Sequence, residues 1–79
     1  MVKIKVGDTF TKNLKLGICY TIGDISGNSI TVYWYDAVGK IKKLSYLDIY
    51  IYKNFNENIW ICKKYNRRKE LYDKLNSLI

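Results

Sequence analysis

Between Gly17 and Leu44 the chain carries three short segments of alternating side chains separated by turn residues, and few folds accept that succession. In GICYTIGDI, Ile18, Tyr20 and Ile22 alternate with Cys19, Thr21 and Gly23. In SITVYWYDAVGK, Ile30, Val32 and Trp34 alternate with Thr31, Tyr33 and Tyr35. Lys40 to Leu44 adds a third segment with a lysine-rich outer face. Successive side chains of a strand point to opposite faces, so a period of two marks strands. Ser26-Gly27-Asn28-Ser29 reads as a tight turn, because Gly and Asn accept positive φ at little cost. Asp36-Ala37-Val38-Gly39 turns the chain again. Three antiparallel strands at such spacing form a meander.

The flanks are read the same way. Val6-Gly7-Asp8 leads into a short strand, Thr9-Phe10-Thr11, and Asn13 to Leu16 forms a loop beside Lys12 and Lys15. The segment SYLDIYIYKNFNENIW supports two structures. Ile49 and Ile51 opposed to Tyr50 and Tyr52 suit a strand. Ser45-x-x-Asp48 matches a capping box, and Leu47, Ile51 and Phe55 fall on one helical stripe. The reading favours a helical turn from about Tyr46 to Lys53, stopped by Asn54 to Asn58. Asn58 to Lys63 then returns as a last strand, with Trp60 facing opposite to Ile59 and Ile61. In the tail, Tyr65 to Ile79, Leu71, Leu75 and Leu78 repeat at helical spacing and Asn66 is a plausible N-cap. A helix of about fourteen residues is marginal alone in water, so its leucine stripe is expected to dock on the domain or on a second copy. The expected fold is mainly β: about five antiparallel strands over residues 1–64, then an amphipathic helix over 65–79, in one folding unit.

Seventy-nine residues make one domain with a limited core. Fourteen Lys and Arg oppose seven Asp and Glu, giving net +7, a field that attracts polyanions and acidic protein surfaces. No Cys-x-x-Cys pair accompanies Cys19 and Cys62, so both read as reduced, small core or near-core residues. The N-terminus MVKIKVGDTF has no long apolar run, and no stretch approaches the roughly 20 apolar residues of a membrane span. A soluble, cytoplasmic protein with no membrane partner is expected. The chain has no His, its acids are dispersed, and it lacks a glycine-rich phosphate loop, so neither an enzyme nor a cofactor is expected.

The order of strand, loop, meander, helical turn and closing strand is that of an SH3-like barrel. The string VGDTF…GICYTIGDISGNSITVYWYDAVGKIKKLSYLDIYIYKNFNENIW resembles a recurrent pattern of small phage-encoded and prophage-encoded proteins. The positions that carry the resemblance are Gly7-Asp8, Gly17 to Ile22, Gly27-Asn28, Trp34, Ser45 to Leu47 and Trp60. It covers about Val6 to Lys63 and leaves out the tail helix. Many such proteins have no assigned function, so the resemblance implies a fold and a phage origin, with action in the host cell cytoplasm.

Two surfaces are candidates for function. One is aromatic: Tyr33 and Tyr35, joined by Tyr20, Tyr50, Tyr52 and Trp60. It is either a seat for the tail leucines or a working face, since aromatics stack bases and anchor protein interfaces. The other is basic: Lys40, Lys42 and Lys43 on the fourth strand, and Lys63, Lys64, Arg67, Arg68 and Lys69 where the last strand passes into the helix. Lysines for phosphate beside tyrosines for bases are the footprint of a nucleic-acid-binding module. In that reading Lys40, Lys42, Lys43, Lys63, Lys64, Arg67 and Arg68 contact DNA or RNA phosphates, and Tyr33, Tyr35 or Tyr52 stacks. The alternative is a phage-type module that binds and modulates a host protein, such as a defence or nucleic-acid-processing enzyme. A homodimer through the aromatic face or the C-terminal helix is a further use of the same surfaces.

Overall fold

The computed structural model describes residues 2–12, 15 and 17–78. The loop expected at Asn13 to Leu16 and the tail residue Ile79 fall largely outside the described residues. The elements run β1 (Thr9–Phe10), β2 (Tyr20–Ser26), β3 (Ser29–Tyr35), β4 (Ile41–Leu47), α1 (Asp48–Asn56) and α2 (Lys63–Ser77). The strands form one antiparallel sheet in the order β1-β2-β3-β4. The meander is as the alternation predicts. Gly27 takes φ 58 in the two-residue loop between Ser26 and Ser29, a conformation that a Cβ would oppose. Asp36 closes the next loop, its carboxylate accepting the backbone N–H groups of Val38 and Lys40.

Partners directly opposite in an antiparallel sheet share a face. Phe10, Tyr20, Ile22, Ile30, Val32, Trp34, Lys42, Leu44 and Tyr46 therefore lie on one face, here the inner one. Thr9, Thr21, Thr31, Tyr33, Tyr35, Ile41, Lys43 and Ser45 lie on the outer face. The register shifts between Ile22 and Asp24, so Gly23 is a bulge residue in β2. The core joins Phe10, Ile22, Ile30 and Val32 of the sheet to Ile51 and Phe55 of α1, with Ile4, Trp60, Cys62 and Tyr65 completing it.

The expected five-strand barrel is corrected to an open four-strand sheet with two helices. The residues expected to close it are used otherwise. The Asn54 carbonyl accepts the N–H groups of both Ile59 and Trp60, and Asn58 turns the chain at φ 57. Those donors are spent on the end of α1 and cannot enter a ladder. Among the described residues, only Ile61 pairs back to β1's edge, as an isolated bridge with Thr11. Cys62 is already the N-cap of α2.

The helical alternative for the ambiguous segment is the one observed, shifted along the chain. Ser45 is not a cap: its hydroxyl meets that of Thr31 at 3.0 Å across β3 and β4. Pairing with β3 continues to Leu47, and α1 starts at Asp48, whose N–H donates to the Asn28 carbonyl. Leu47 is exposed accordingly, while Ile51 and Phe55 are buried. Asn66 is not an N-cap either, since α2 begins at Lys63.

The two cysteines are free and differ. Cys62 is buried as expected, whereas Cys19 is exposed. Burial pushes the Cys62 thiol above its ordinary 9.0 and the Tyr65 phenol above its ordinary 10.0. Both groups hold their protons more tightly folded than unfolded. Their contribution is complete below the unfolded values and is lost as pH rises through the folded ones. The urea midpoint is expected to be lower at about pH 10 than at about pH 8, and a midpoint that rises would contradict the burial of both groups.

Candidate functional site

The outer face of the sheet holds the tyrosines that the sequence singles out. Tyr33 crosses from β3 onto the bulge in β2, its ring over Gly23. A Cβ at Gly23 would sit 2.7 Å from Tyr33 Cε1 and 2.8 Å from Cδ1. Gly23 is thus the seat of the Tyr33 ring. Lys43 stands directly opposite Tyr33 on β4, and Ile41 directly opposite Tyr35. Gly23, Asp24, Thr31, Tyr33, Ile41 and Lys43 line one shallow depression. Tyr35, at 61 % exposure, is open beside it. At the other edge, Lys63 and Lys64 line a second depression with Thr9, Thr11 and Cys19. The outer face therefore carries tyrosine in the middle and lysine at both borders.

Gly23→Ala is expected to push the Tyr33 ring off β2, at a stability cost of about 1 kcal/mol because the ring, not backbone, must yield. Loss of the upfield ring-current shift of the residue-23 α-protons checks this, and unchanged Tyr33 resonances would contradict it.

The tail helix does not cover these tyrosines. It meets the sheet at β1, and every residue from Glu70 to Leu78 is exposed. Leu71 and Leu75 are 52 % and 65 % exposed, so the leucine stripe does not dock on its own domain. The helix docks instead through Tyr65, whose hydroxyl donates to Asn56 Oδ1 at 2.8 Å, and through Arg68. At 100° per residue the leucines lie about a third of a turn round from Tyr65. The molecule is accordingly elongated, 50 × 30 × 18 Å.

The remaining expected contact residues divide. Arg67 is exposed on α2 and Lys40 in the β3–β4 turn. Lys42 lies on the inner face opposite Trp34, 3.9 Å from Asp36. Tyr52 is half-buried against the core and its hydroxyl accepts the Ile4 N–H at 3.1 Å, so its ring is not open for stacking. Arg68 forks onto the buried Asp8 carboxylate, with Nη1 3.3 Å from Oδ1 and Nη2 on Oδ2, and also donates to the Lys3 carbonyl at 3.1 Å. The hydrogen bonds to Asp8 hold the guanidinium pKa above its ordinary value. Arg68 is a structural tie between α2 and the chain before β1.

A second aromatic group occupies the inner face, and its centre is a residue the sequence leaves in a loop. The Lys12 ammonium lies 4.6 Å from the ring centroid of Tyr20, 5.9 Å from Trp34, 4.8 Å from Tyr46 and 4.6 Å from Trp60. It also donates to the Tyr46 hydroxyl. Tyr50 backs the group, stacked on Tyr46 at 5.5 Å and edge-on to Trp60 at 5.5 Å. Tyr20, Tyr50 and Trp60 thus belong with Trp34 and Tyr46, not with Tyr33 and Tyr35. Strand pairing puts Tyr20 and Trp34 on the inner face, where the sequence grouped Tyr20 with Tyr33 and Tyr35, and no local spacing links either to Lys12.

Comparison with protein-family models, curated proteins and solved structures finds no match. Among the described residues no cluster of His, Cys, Asp and Glu could hold a metal ion, and no helix is long and apolar enough to cross a membrane.

Proposed function

We propose that the protein is a non-enzymatic, basic binding module whose outer sheet face engages single-stranded DNA or RNA with low sequence specificity. The observation that carries this reading is the uncovered Tyr33–Tyr35 face bordered by Lys43 on β4 and by Lys63 and Lys64 beside β1. Tyrosine rings stack on any base, and lysines at the borders track phosphate without reading sequence. The net charge of +7 favours approach of such a polyanion. The phage-type, SH3-like kinship and a cytoplasmic site of action belong to this proposal, supported by the meander and the turn residues that carry the resemblance.

Fluorescence anisotropy with labelled single-stranded DNA, duplex DNA and RNA tests it. With about three phosphates neutralised, affinity for a single strand should fall roughly 10–20-fold between about 50 and 200 mM salt. Tyr33→Ala should cost about 1–3 kcal/mol of binding, as for loss of one stacked base, and Lys43→Glu should flatten the salt slope. No binding at the lower salt would remove the proposal.

The exposed leucines of α2 favour a second reading, a protein-interaction module that binds and modulates a host protein. There Leu71, Leu75 and Leu78 supply the apolar contact, and Lys63, Lys64 and Arg67 steer association. Loss of binding to a captured host protein on Leu75→Asp, with nucleic-acid affinity intact, separates the two.

A further inference from the structure

We propose that the box formed by Tyr20, Trp34, Tyr46 and Trp60 is a binding site for a methylated ammonium group, and that Lys12 is its resident competitor. Tyr20, Trp34 and Trp60 hold their rings within 6 Å of one nitrogen and Tyr46 meets it through its hydroxyl edge, which makes a cation receptor because an aromatic face presents negative charge. A primary ammonium carries three N–H donors. In the box the Tyr46 hydroxyl takes one. The ion pairs among the described residues, Lys42 with Asp36 and Arg68 with Asp8, put no carboxylate on Lys12. A cation with methyl groups in place of N–H bonds needs no acceptor and spreads its charge against the rings. The lining therefore selects trimethyl-lysine or choline chemistry over a plain lysine.

Two of the rings, Tyr20 and Trp60, are positioned by the core rather than by Lys12. Tyr20 and Trp60 both stack on the buried Phe10 ring, at 5.3 Å with interplanar angles of 17° and 15°. Tyr46 is stacked on Tyr50. Withdrawal of the lysine would leave the box standing, which is the condition for a preformed site. This site lies on the inner face, opposite the tyrosines assigned to nucleic acid, and does not depend on that assignment.

Both tryptophans of the chain line the box, so intrinsic fluorescence reads it directly. The test titrates the full chain and Lys12→Ala with choline and with an acetylated trimethyl-lysine amide. The neutral isostere 3,3-dimethylbutanol is the control. Lys12→Ala should bind both cations about tenfold more tightly than the parent chain, whose box is open only for the fraction of time Lys12 is out. The isostere should give no saturable change. Tighter binding of the trimethyl-lysine amide assigns a methylated protein side chain as the source, and tighter binding of choline assigns a choline compound. A folded Lys12→Ala chain that answers neither cation at about 10 mM, or that binds the isostere equally well, would overturn the proposal. Should Lys12→Ala not fold, the parent chain decides. Choline should release the Lys12 side-chain protons from their upfield ring-current positions, and protons that stay in place overturn it.

Discussion

Phe10→Ala is expected to bring the domain close to its unfolding threshold. Phe10 is fully buried where the sheet, α1 and the segment after α1 meet. Its ring stacks on Tyr20 and Trp60 and is edge-on to Phe55 at 5.2 Å. Those four rings come from β1, β2, α1 and the chain entering α2, so one cavity loosens every layer. Truncating a buried phenylalanine costs about 3–5 kcal/mol, lost transfer energy plus the cavity left behind. A chain of this length holds only about 4–12 kcal/mol in total. Urea denaturation followed by circular dichroism should show most of the stability gone. A loss under about 1.5 kcal/mol would mean that the four-ring stack is not the joint described here.

Arg68→Ala is expected to cost about 3 kcal/mol and to release the tail helix. The Asp8 side chain is 4 % exposed, and its carboxylate accepts the Lys5 N–H as well as the Arg68 fork. Asp8 is also fixed by its backbone, since its carbonyl accepts the Ile22 N–H. Removing the guanidinium leaves a buried carboxylate without its cation, which costs far more than an exposed pair is worth. The figure stands at the lower end of the range for buried pairs because the Arg68 side chain is itself 25 % exposed. Arg68→Lys should not rescue, because a single ammonium cannot span both carboxylate oxygens and the Lys3 carbonyl. Hydrogen exchange should show α2 opening ahead of the sheet in both variants. Unchanged protection of Tyr65 and Asn66 would contradict the tie.

The meander was legible because its signals are local. Inner positions of β2 and β3 recur at every second residue, and Gly27-Asn28 and Asp36 to Gly39 supply the turn chemistry between them. Local spacing misleads wherever a distant partner takes the group that a local one would use. Ser45 has the spacing of a cap, but the Thr31 hydroxyl, fourteen residues away, holds it in β4. Ile59 and Trp60 have the composition of a strand, but the Asn54 carbonyl takes their donors. The leucines of α2 have the period of a docking stripe, but the docking face is set by an ion pair sixty residues apart in sequence. The candidate site divides on the same line. Tyr33, Tyr35 and Lys43 follow from strand parity and do share a face. Arg68 and Tyr52 look like surface residues in sequence and are held by Asp8 and Ile4. Lys12 gave no signal, because an ammonium among four rings is a property of the folded inner face alone.

The central claim is that the outer sheet face is the working surface. The most direct test is a two-dimensional amide NMR titration of the full chain with an unlabelled single-stranded oligonucleotide at low salt. Shift changes are expected to concentrate at Thr21, Gly23, Thr31, Tyr33, Tyr35 and Lys43, with Lys63 and Lys64 at the border and little change at Ile51 or Phe55. Changes confined to the leucines of α2, or no changes at all, would contradict it.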